Sequence, residues 1–443
     1  MKKILLSVSM LLAVLSSQAQ ETIYPAKAFS GKTYLVNGTV HTGDGKVLEK
    51  TTVVFTNGKI TEIAQGVSVP AASADVRVVD VSGKQVYPGL ILPDTDLGLK
   101  EIGAATPGSD DYDELGEYNS DIRSVVAYDA TSMIIGTLRT NGILLASVSP
   151  QSGVVAGLSS VVQLDAWNWE DASYKVDNNL HVHLPSFSNR PSRMAMYMRM
   201  MGMDVPDEGG AEKKAVEKLE EIKAFFRQAQ SYFSTSNAED HNLKFEAIRG
   251  LFEKKQKLFV HADEVKQILA AIDFSKEFGF DVVIVGGTES WRVADLLKKN
   301  NIAVILKEAH SLPTNQDDDF DQPYKTPYLL QKAGVLYALN DTHDETRYRN
   351  LMFNAGTAAA YGLTKEEALQ AITLNAAKIL GIDDKTGTIA VGKDANVLVS
   401  EGDILDMRTS ILDKAYIQGR DVSLENKQTQ LYDRYIYKYG LNK

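Results

Sequence analysis

The sequence predicts an α/β protein whose larger part is a (β/α)8 TIM-type barrel, and two patterns favour this fold class. The first is a repeated alternation of short apolar strands with segments of helical periodicity between residues 90 and 380. Such alternation is typical of parallel sheets, and (β/α)8 barrels commonly take about 250 residues. The second is a concentration of strand signals on both sides of this region, over residues 33–86 and 386–424. These flanking strands predict a smaller β unit.

The predicted elements of the central region follow one another in the order that a barrel requires. The strands are Ile143–Val148, Leu258–Val260, Val282–Val285, Ala303–Leu306 and Val335–Leu339, with helical segments such as Glu264–Phe278 and Ser290–Lys299 between them. Thr364 and Glu367 form a capping box that begins a later helix, and Gly381 marks its end. Because barrel sites lie where strands end, the residues just after each strand are the ones to inspect for chemistry.

The composition is that of an ordinary soluble protein. Of 443 residues, 44% are hydrophobic and 24% are charged, which is enough to build a large core and two or three domains. Cysteine is absent, which excludes disulfides and a lipidated N-terminal cysteine. The net charge of −11 argues against a nucleic-acid partner, since phosphate binding requires a basic surface.

The N-terminus has the pattern of a secretory signal peptide. Two lysines, Lys2 and Lys3, precede the apolar run Ile4–Leu15, and Ser17 and Ala19 form a small-x-small cleavage site. The apolar run is shorter than the ~20 residues that span a bilayer. We therefore expect cleavage after residue 19 and a periplasmic or otherwise extracytoplasmic protein without a membrane span.

Two aspartates follow the first predicted barrel strand. The apolar run Leu90–Leu92 leads through Pro93 into Asp94 and Asp96. Side chains two residues apart lie on the same face of a strand, so these carboxylates should converge. Converging carboxylates repel each other unless a cation or a shared proton lies between them. This stretch therefore predicts one edge of a metal site.

The same stretch resembles the amidohydrolase superfamily of metal-dependent hydrolases, in which PGLIDxHxH supplies the first two metal ligands. Pro88–Ile91 stands here as in that motif. Further similar stretches are NGI (141–143), SPQSG (149–153), GLSSVV (157–162), VHAD (260–263), GTES (287–290), ALNDTH (338–343) and TLNAA (373–377). Their order and spacing resemble exported, imidazolonepropionase-related amidohydrolases over nearly all of the mature chain.

The resemblance implies a domain order. It comprises the signal peptide (1–19), a small β-sandwich domain built from residues 20–86 and 383–427, the barrel (87–382) and a C-terminal extension (428–443). Within the barrel, residues 165–256 are predicted to be an insertion. The pair His181 and His183 falls in that insertion and is interpreted as two surface histidines.

The resemblance also implies a ligand set, from which this chain departs. Both histidine places after the first strand hold aspartate, Asp94 and Asp96, while the histidine place after the fifth strand holds His261. The sixth-strand histidine place holds Gly286. After the eighth strand, the family's aspartate corresponds to either Asp341 or Thr342. One divalent metal ion is the only cofactor that such a set predicts, held by oxygen-rich ligands that make its water less acidic.

Two functions remain open at this point. In the first, the metal centre has decayed, and the protein is weakly catalytic or non-catalytic, serving as a ligand-binding or partner subunit. In the second, Asp94, Asp96 and His261 hold one ion and Asp341 is the general base, in an active hydrolase of C–N bonds. The resemblance implies a small amide or peptide-like ligand, and a catalytically complete paralogue or a second copy as partner. No phosphate-binding loop or Gly-x-Ser-x-Gly motif occurs, which argues against kinases and serine hydrolases.

Overall fold

A computed structural model describes residues 24–101, 114–188, 197–198, 200–203, 210–234, 241–315, 317–341 and 347–441. The predicted signal peptide and Thr342 lie outside these residues. The described part of the chain contains two sheets of eight strands each. None of its helices is long and apolar enough to cross a membrane.

The first sheet joins the two ends of the chain. Its strands are β1 (Lys32–His41), β2 (Val47–Thr56), β3 (Lys59–Ala64), β4 (Val76–Asp80), β5 (Gln85–Pro88), β14 (Val397–Ser400), β15 (Leu412–Ile417) and β16 (Arg420–Val422). They follow the order β16-β15-β14-β5-β1-β2-β3, with β4 parallel to β1. The antiparallel pair β5–β14 brings the two terminal segments together in one sheet. β2 and β3 form an antiparallel hairpin, whereas the sandwich form of this domain stays a prediction.

The second sheet is the barrel. Its strands are β6 (Leu90–Thr95), β7 (Ile143–Val148), β8 (Val155–Gln163), β9 (Ser173–His183), β10 (Lys257–Ala262), β11 (Val282–Gly286), β12 (Ala303–Leu306) and β13 (Tyr337–Leu339), paired in chain order. The sheet is nearly closed, because Asn340 after β13 donates a hydrogen bond from Nδ2 to the carbonyl oxygen of Asp94.

The barrel departs from a regular (β/α)8 fold at its third strand. β8 runs antiparallel to both β7 and β9, while the other neighbouring strands are parallel. The cause is the short link over residues 149–154. A parallel crossover needs about a dozen residues or more, so this link can only reverse the chain.

Helices cover the outside of the barrel and close one end of it. Their bounds are Ser124–Ala127, Met133–Arg139, Trp169–Ala172, Ala211–Ser234, Leu243–Ala247, Arg249–Phe252, Val265–Phe278, Ala294–Lys299, Gln322–Ala333, Leu351–Ala360, Lys365–Ala371, Leu374–Leu380 and Lys427–Tyr439, with 3₁₀ turns at Ser290–Val293 and Tyr348–Asn350. The predicted capping box at Thr364 and the left-handed Gly381 (φ 64°) are both present, but they belong to successive helices.

The barrel interior is apolar at one end and polar at the other. Ile91, Phe259 and Ile305 fill its centre together with Ala376 and Ile379 of the helix Leu374–Leu380. That helix lies at the N-terminal ends of the strands, where the Nδ2 of Asn178 donates to the carbonyl oxygen of Leu380 at 2.7 Å. Polar interior residues are therefore left at the opposite end, where the parallel strands finish.

Candidate metal centre

Three side chains from three barrel strands converge at this polar end. Asp94 on β6, His181 on β9 and His261 on β10 each place a ligand atom so that all three atoms lie within 4.8 Å of one another. The Nδ1 of His181 is 3.0 Å from the Nε2 of His261 and 3.8 Å from the Oδ1 of Asp94. β9 and β10 pair in parallel with His183 opposite His261, so His181 lies two residues earlier, on the same face of the neighbouring strand.

Burial keeps the two imidazoles of this cluster neutral. His181 is fully buried and Asp94 is 3% exposed. Burial lowers the pKa of His181 to about 3, and the nearby His183 adds to the effect. The pKa of His261 is also well below its ordinary value, chiefly because of burial. Neutral imidazoles have lone pairs free to coordinate a metal ion.

The carboxylate of Asp94 is held by a second layer of polar groups. Ser149, just after β7, donates from Oγ to the Oδ1 of Asp94 at 2.6 Å, and the Nε2 of Gln151 donates to Ser149 Oγ at 2.9 Å. Burial raises the pKa of Asp94 to about 6; the charge of Asp96 adds to this rise, while the Ser149 hydrogen bond opposes it. Such outer partners orient metal ligands in proteins.

Asp96 does not join this cluster. The hydroxyl of Tyr348 donates a hydrogen bond to its Oδ1, and the Nζ of Lys100 lies 3.9 Å from its Oδ2. The register of β6 against β7 shifts between Leu92 and Thr95. This irregularity breaks the strict alternation from which the convergence of Asp94 and Asp96 was inferred.

An ion pair lies beside Gly286, the position at which the resemblance implies a sixth-strand ligand. Gly286 ends β11 with φ 101°, and a Cβ atom there would lie 2.5 Å from Asp263 Oδ1 and 3.3 Å from Lys307 Cε. The Nζ of Lys307 is 2.5 Å from Asp263 Oδ2, while Thr288 Oγ1 donates to Asp263 Oδ1 at 2.7 Å. No side chain larger than a hydrogen atom fits at residue 286 without moving this pair.

Asp341 lies at the end of the eighth strand, as expected for that place. It follows β13 and Asn340 and is fully buried, with Oδ2 accepting a hydrogen bond from Asn354 Nδ2 at 3.0 Å. It is not among the ligand atoms of the three-residue cluster found within the described residues.

The interpretation of His181 and His183 as surface residues was wrong. Both lie on β9, a barrel strand within the stretch predicted as an insertion. His181 is buried in the cluster, and the half-buried ring of His183 stacks on His261 at 3.9 Å between centroids. The strand was not recognised in the sequence because it contains polar residues such as Lys175 and Asn178. In the barrel these side chains donate hydrogen bonds to carbonyl groups at the end of a helix. The His-x-His spacing was the available signal, since period two places both rings on one face.

The donors of the cluster suit a divalent ion. Two imidazole nitrogens and one carboxylate oxygen are the protein ligands of many zinc centres that keep a fourth position open. Two nitrogens at about 2.05 Å from a tetrahedral ion lie roughly 3.3 Å apart. The observed 3.0 Å between His181 and His261 is close to that separation. The Nε2 of His181 is buried without a hydrogen-bond partner in the described structure, so the ring is tied down only on the cluster side.

Comparisons with known proteins agree with this architecture. A sequence profile of the Amidohydrolase family matches residues 338–429. The imidazolonepropionase of Thermoplasma volcanium is 25% identical over 395 residues, which cover 83% of this chain and 89% of that protein.

Solved structures with a similar fold match a slightly larger share of this chain. An amidohydrolase from Thermotoga maritima is similar with a TM-score of 0.70 and 26% identity, over 88% of this chain and 99% of the other. A prolidase solved with N-methylphosphonate-L-proline is similar in fold, with a TM-score of 0.55 and 15% identity over 88% of this chain and 99% of its own. The barrel, the site at the carboxyl ends of its strands and these relatives all agree. The chain belongs to the amidohydrolase superfamily.

Proposed function

We propose that this protein is a one-metal amidohydrolase of low activity. It binds a single divalent ion through Asp94, His181 and His261 and acts on a C–N bond of a small amide, cyclic amide or dipeptide-like molecule. The observation that carries this proposal is the convergence of these three ligand atoms within 4.8 Å at the end of the barrel. The relatives named imidazolonepropionase and prolidase support the choice of bond.

Each residue of the proposed site has a defined task. The imidazoles of His181 and His261 and the carboxylate of Asp94 hold the ion, which supplies a Lewis acid that polarises a carbonyl group and activates water. Ser149 keeps the Asp94 carboxylate in place. Asp341 is the proposed general base, supported by its place after the eighth strand and by Asn354, which orients its carboxylate.

Two features support low activity. The Asp263–Lys307 pair stands where a sixth-strand ligand would be, so a second ion lacks that ligand. Asp94 also places a charged carboxylate where the resemblance implies a neutral imidazole, and greater negative charge around an ion makes its water less acidic.

The same ion pair favours a second candidate function. In that alternative, the protein binds its amide ligand without turning it over and serves as a subunit beside an active paralogue. The two candidates share the fold and the ligand, and they differ in whether bound metal supports hydrolysis.

One experiment separates these possibilities. The purified protein is analysed for metal and assayed with dipeptides, N-acyl amino acids and cyclic amides, together with His181→Ala and His261→Ala. His241→Ala is the matched control, because His241 is exposed and lies outside the barrel. We expect about one ion per chain and slow turnover, both lost in the two cluster variants and kept in the control. Metal without turnover would select the binding-subunit alternative, and no metal in any preparation would overturn the proposed function.

We also propose that the protein acts outside the cytoplasm, supported by the signal-peptide pattern of residues 1–19. Mass spectrometry of the protein from its native host tests this proposal. A mature chain that starts at Gln20 is expected, and a chain that retains Lys2 and Lys3 would contradict it.

A further inference from the structure

Lys307 is placed where a bound substrate would meet it. It directly follows β12, at the same end of the barrel as Asp94, His181 and His261. Its side chain is 44% exposed, whereas Asp94 and His181 are buried. Together with Gly286 and Thr288, Lys307 lines a small recess at this end. An accessible ammonium group therefore stands at the end of the barrel that holds the cluster.

The ammonium group is held in position and still has donors to offer. Asp263 accepts one hydrogen bond from it, and Thr288 fixes Asp263 through the other carboxylate oxygen. An ammonium group has three N–H donors, so the pair with Asp263 leaves capacity for a second acceptor. A carboxylate is the acceptor that such a group binds most strongly.

The charge of Lys307 also reaches the metal cluster. It lowers the pKa values of Asp94 and His261, although burial dominates both. Because Lys307 is paired with Asp263, it attracts an anion as a short-range hydrogen-bond donor rather than through a net positive charge.

We propose that Lys307 is a specificity-determining residue that binds a carboxylate of the substrate, so that the preferred ligands are small amides with a free acid group. This inference rests on the proposed function of the site. Asp263 is then a positioning residue that competes with the ligand for the same ammonium group.

The test compares acids with their matching carboxamides. The metal-loaded protein is titrated calorimetrically with N-acetyl-L-phenylalanine, L-pyroglutamate and the carboxamide of each. We expect at least one acid to bind about tenfold more tightly than its carboxamide, the ratio that one charged hydrogen bond supplies. Lys307→Gln should remove this preference without weakening the carboxamide, and Lys307→Arg should keep it. Lys276→Gln, an exposed lysine beside Asp273, is the control and should change neither ligand.

A second variant separates recognition from a structural role. Asp263→Asn removes the competing carboxylate, so acid binding should become equal or tighter if Lys307 binds the ligand. If the pair only shapes the barrel mouth, both variants should weaken acid and carboxamide alike, and that result would overturn the inference. Equal binding of acid and carboxamide by the unaltered protein, or binding of neither, would also overturn it. Metal content is measured in the same samples. Unaltered protein that holds no metal would count against the proposed function, whereas metal-loaded protein without a preference for the acid would count against the role of Lys307.

Discussion

The Nδ1 of His181 lies 3.0 Å from the Nε2 of His261, although 80 residues separate them in the chain. Two ring nitrogens this close either share one proton or bind one cation, because two facing lone pairs repel each other. Burial disfavours an added proton on either ring. With the Asp94 carboxylate beside them, one divalent ion would satisfy all three groups at once, whereas the N–H of one neutral ring can pair only the two nitrogens.

The two aspartates after the first barrel strand should behave differently. Asp94→Asn is expected to lose metal because it removes a ligand, so affinity should fall by more than the about 10- to 100-fold typical of losing an outer-shell partner. Asp96→Asn should keep the metal, since the Asp96 carboxylate accepts a hydrogen bond from Tyr348 and is not part of the three-residue cluster. Zinc titration of both variants with a fluorescent indicator measures the difference. Equal loss of zinc in both would place Asp96 in the metal site.

Metal affinity should fall in acid because of Asp94. Its pKa is raised to about 6 by burial, so its carboxylate becomes protonated below that pH, while the histidines remain neutral to lower pH. One competing proton predicts that affinity decreases about tenfold for each pH unit below 6.

A pair of serine variants tests this assignment. Ser149→Ala removes a hydrogen bond that favours the charged form of Asp94, so the acid loss should begin at higher pH. Ser147→Ala is the control, because Ser147 is equally buried on β7 and its Oγ has no hydrogen-bond partner in the described structure. An unchanged profile in Ser149→Ala would show that Asp94 does not set the acid limit.

Gly286 should not accept the histidine that the family resemblance implies for this place. Gly286→His is expected to gain no second metal ion, and Gly286→Ala should lower the free energy of unfolding by about 1–3 kcal/mol. Gly83→Ala supplies the control for backbone strain alone, since Gly83 also has a positive φ (77°) but no atom within 4 Å of the Cβ position. If Gly286→Ala lowers the free energy of unfolding no more than Gly83→Ala does, the Asp263–Lys307 pair moves aside at little energetic cost, which would contradict this prediction.

The contact between His41 and Glu366 should stabilise the junction of the two sheets in a pH-dependent manner. His41 Nδ1 on β1 is 2.6 Å from Glu366 Oε1 on a barrel helix. Burial alone would lower the pKa of His41, but hydrogen bonds to Glu366 and Gln85 and the charge of Glu366 outweigh it, so the net shift is upward.

A raised pKa in the folded state means that this contact stabilises fully below about pH 6.5 and weakens as pH rises through the folded pKa. Glu366→Gln should therefore cost about 1–3 kcal/mol at pH 6 and less at pH 9, measured by urea unfolding. Asp273→Asn, which alters an exposed pair with Lys276, should cost under about 0.5 kcal/mol at both pH values. A Glu366→Gln cost that grows with pH would contradict the assignment.

Much of the fold was predictable because its strands are short, apolar and closely followed by turn or helix signals. Ile143–Val148 and Ala303–Leu306 have the bounds that the sequence predicts, and the helix Val265–Phe278 begins one residue late. β8 escaped prediction as a reversed strand, because direction depends on the length of the link before it rather than on residue type.

The site was predictable only in part. Asp94 and His261 stood out because each ends an apolar strand, where barrel sites lie. His181 was missed because its strand carries lysine and asparagines, whose polar groups are satisfied only inside the closed barrel. The Asp263–Lys307 pair was invisible in sequence, because 44 residues separate its members and only the parallel strands bring them together.

The most direct test is X-ray absorption spectroscopy at the zinc edge on protein loaded with one equivalent of zinc. The proposed site predicts two imidazole nitrogens and one carboxylate oxygen at about 2.0–2.2 Å, with one imidazole signal lost in His181→Ala. A zinc ion bound mainly by oxygens, a zinc–zinc distance from a paired centre, or an unchanged spectrum in His181→Ala would contradict it.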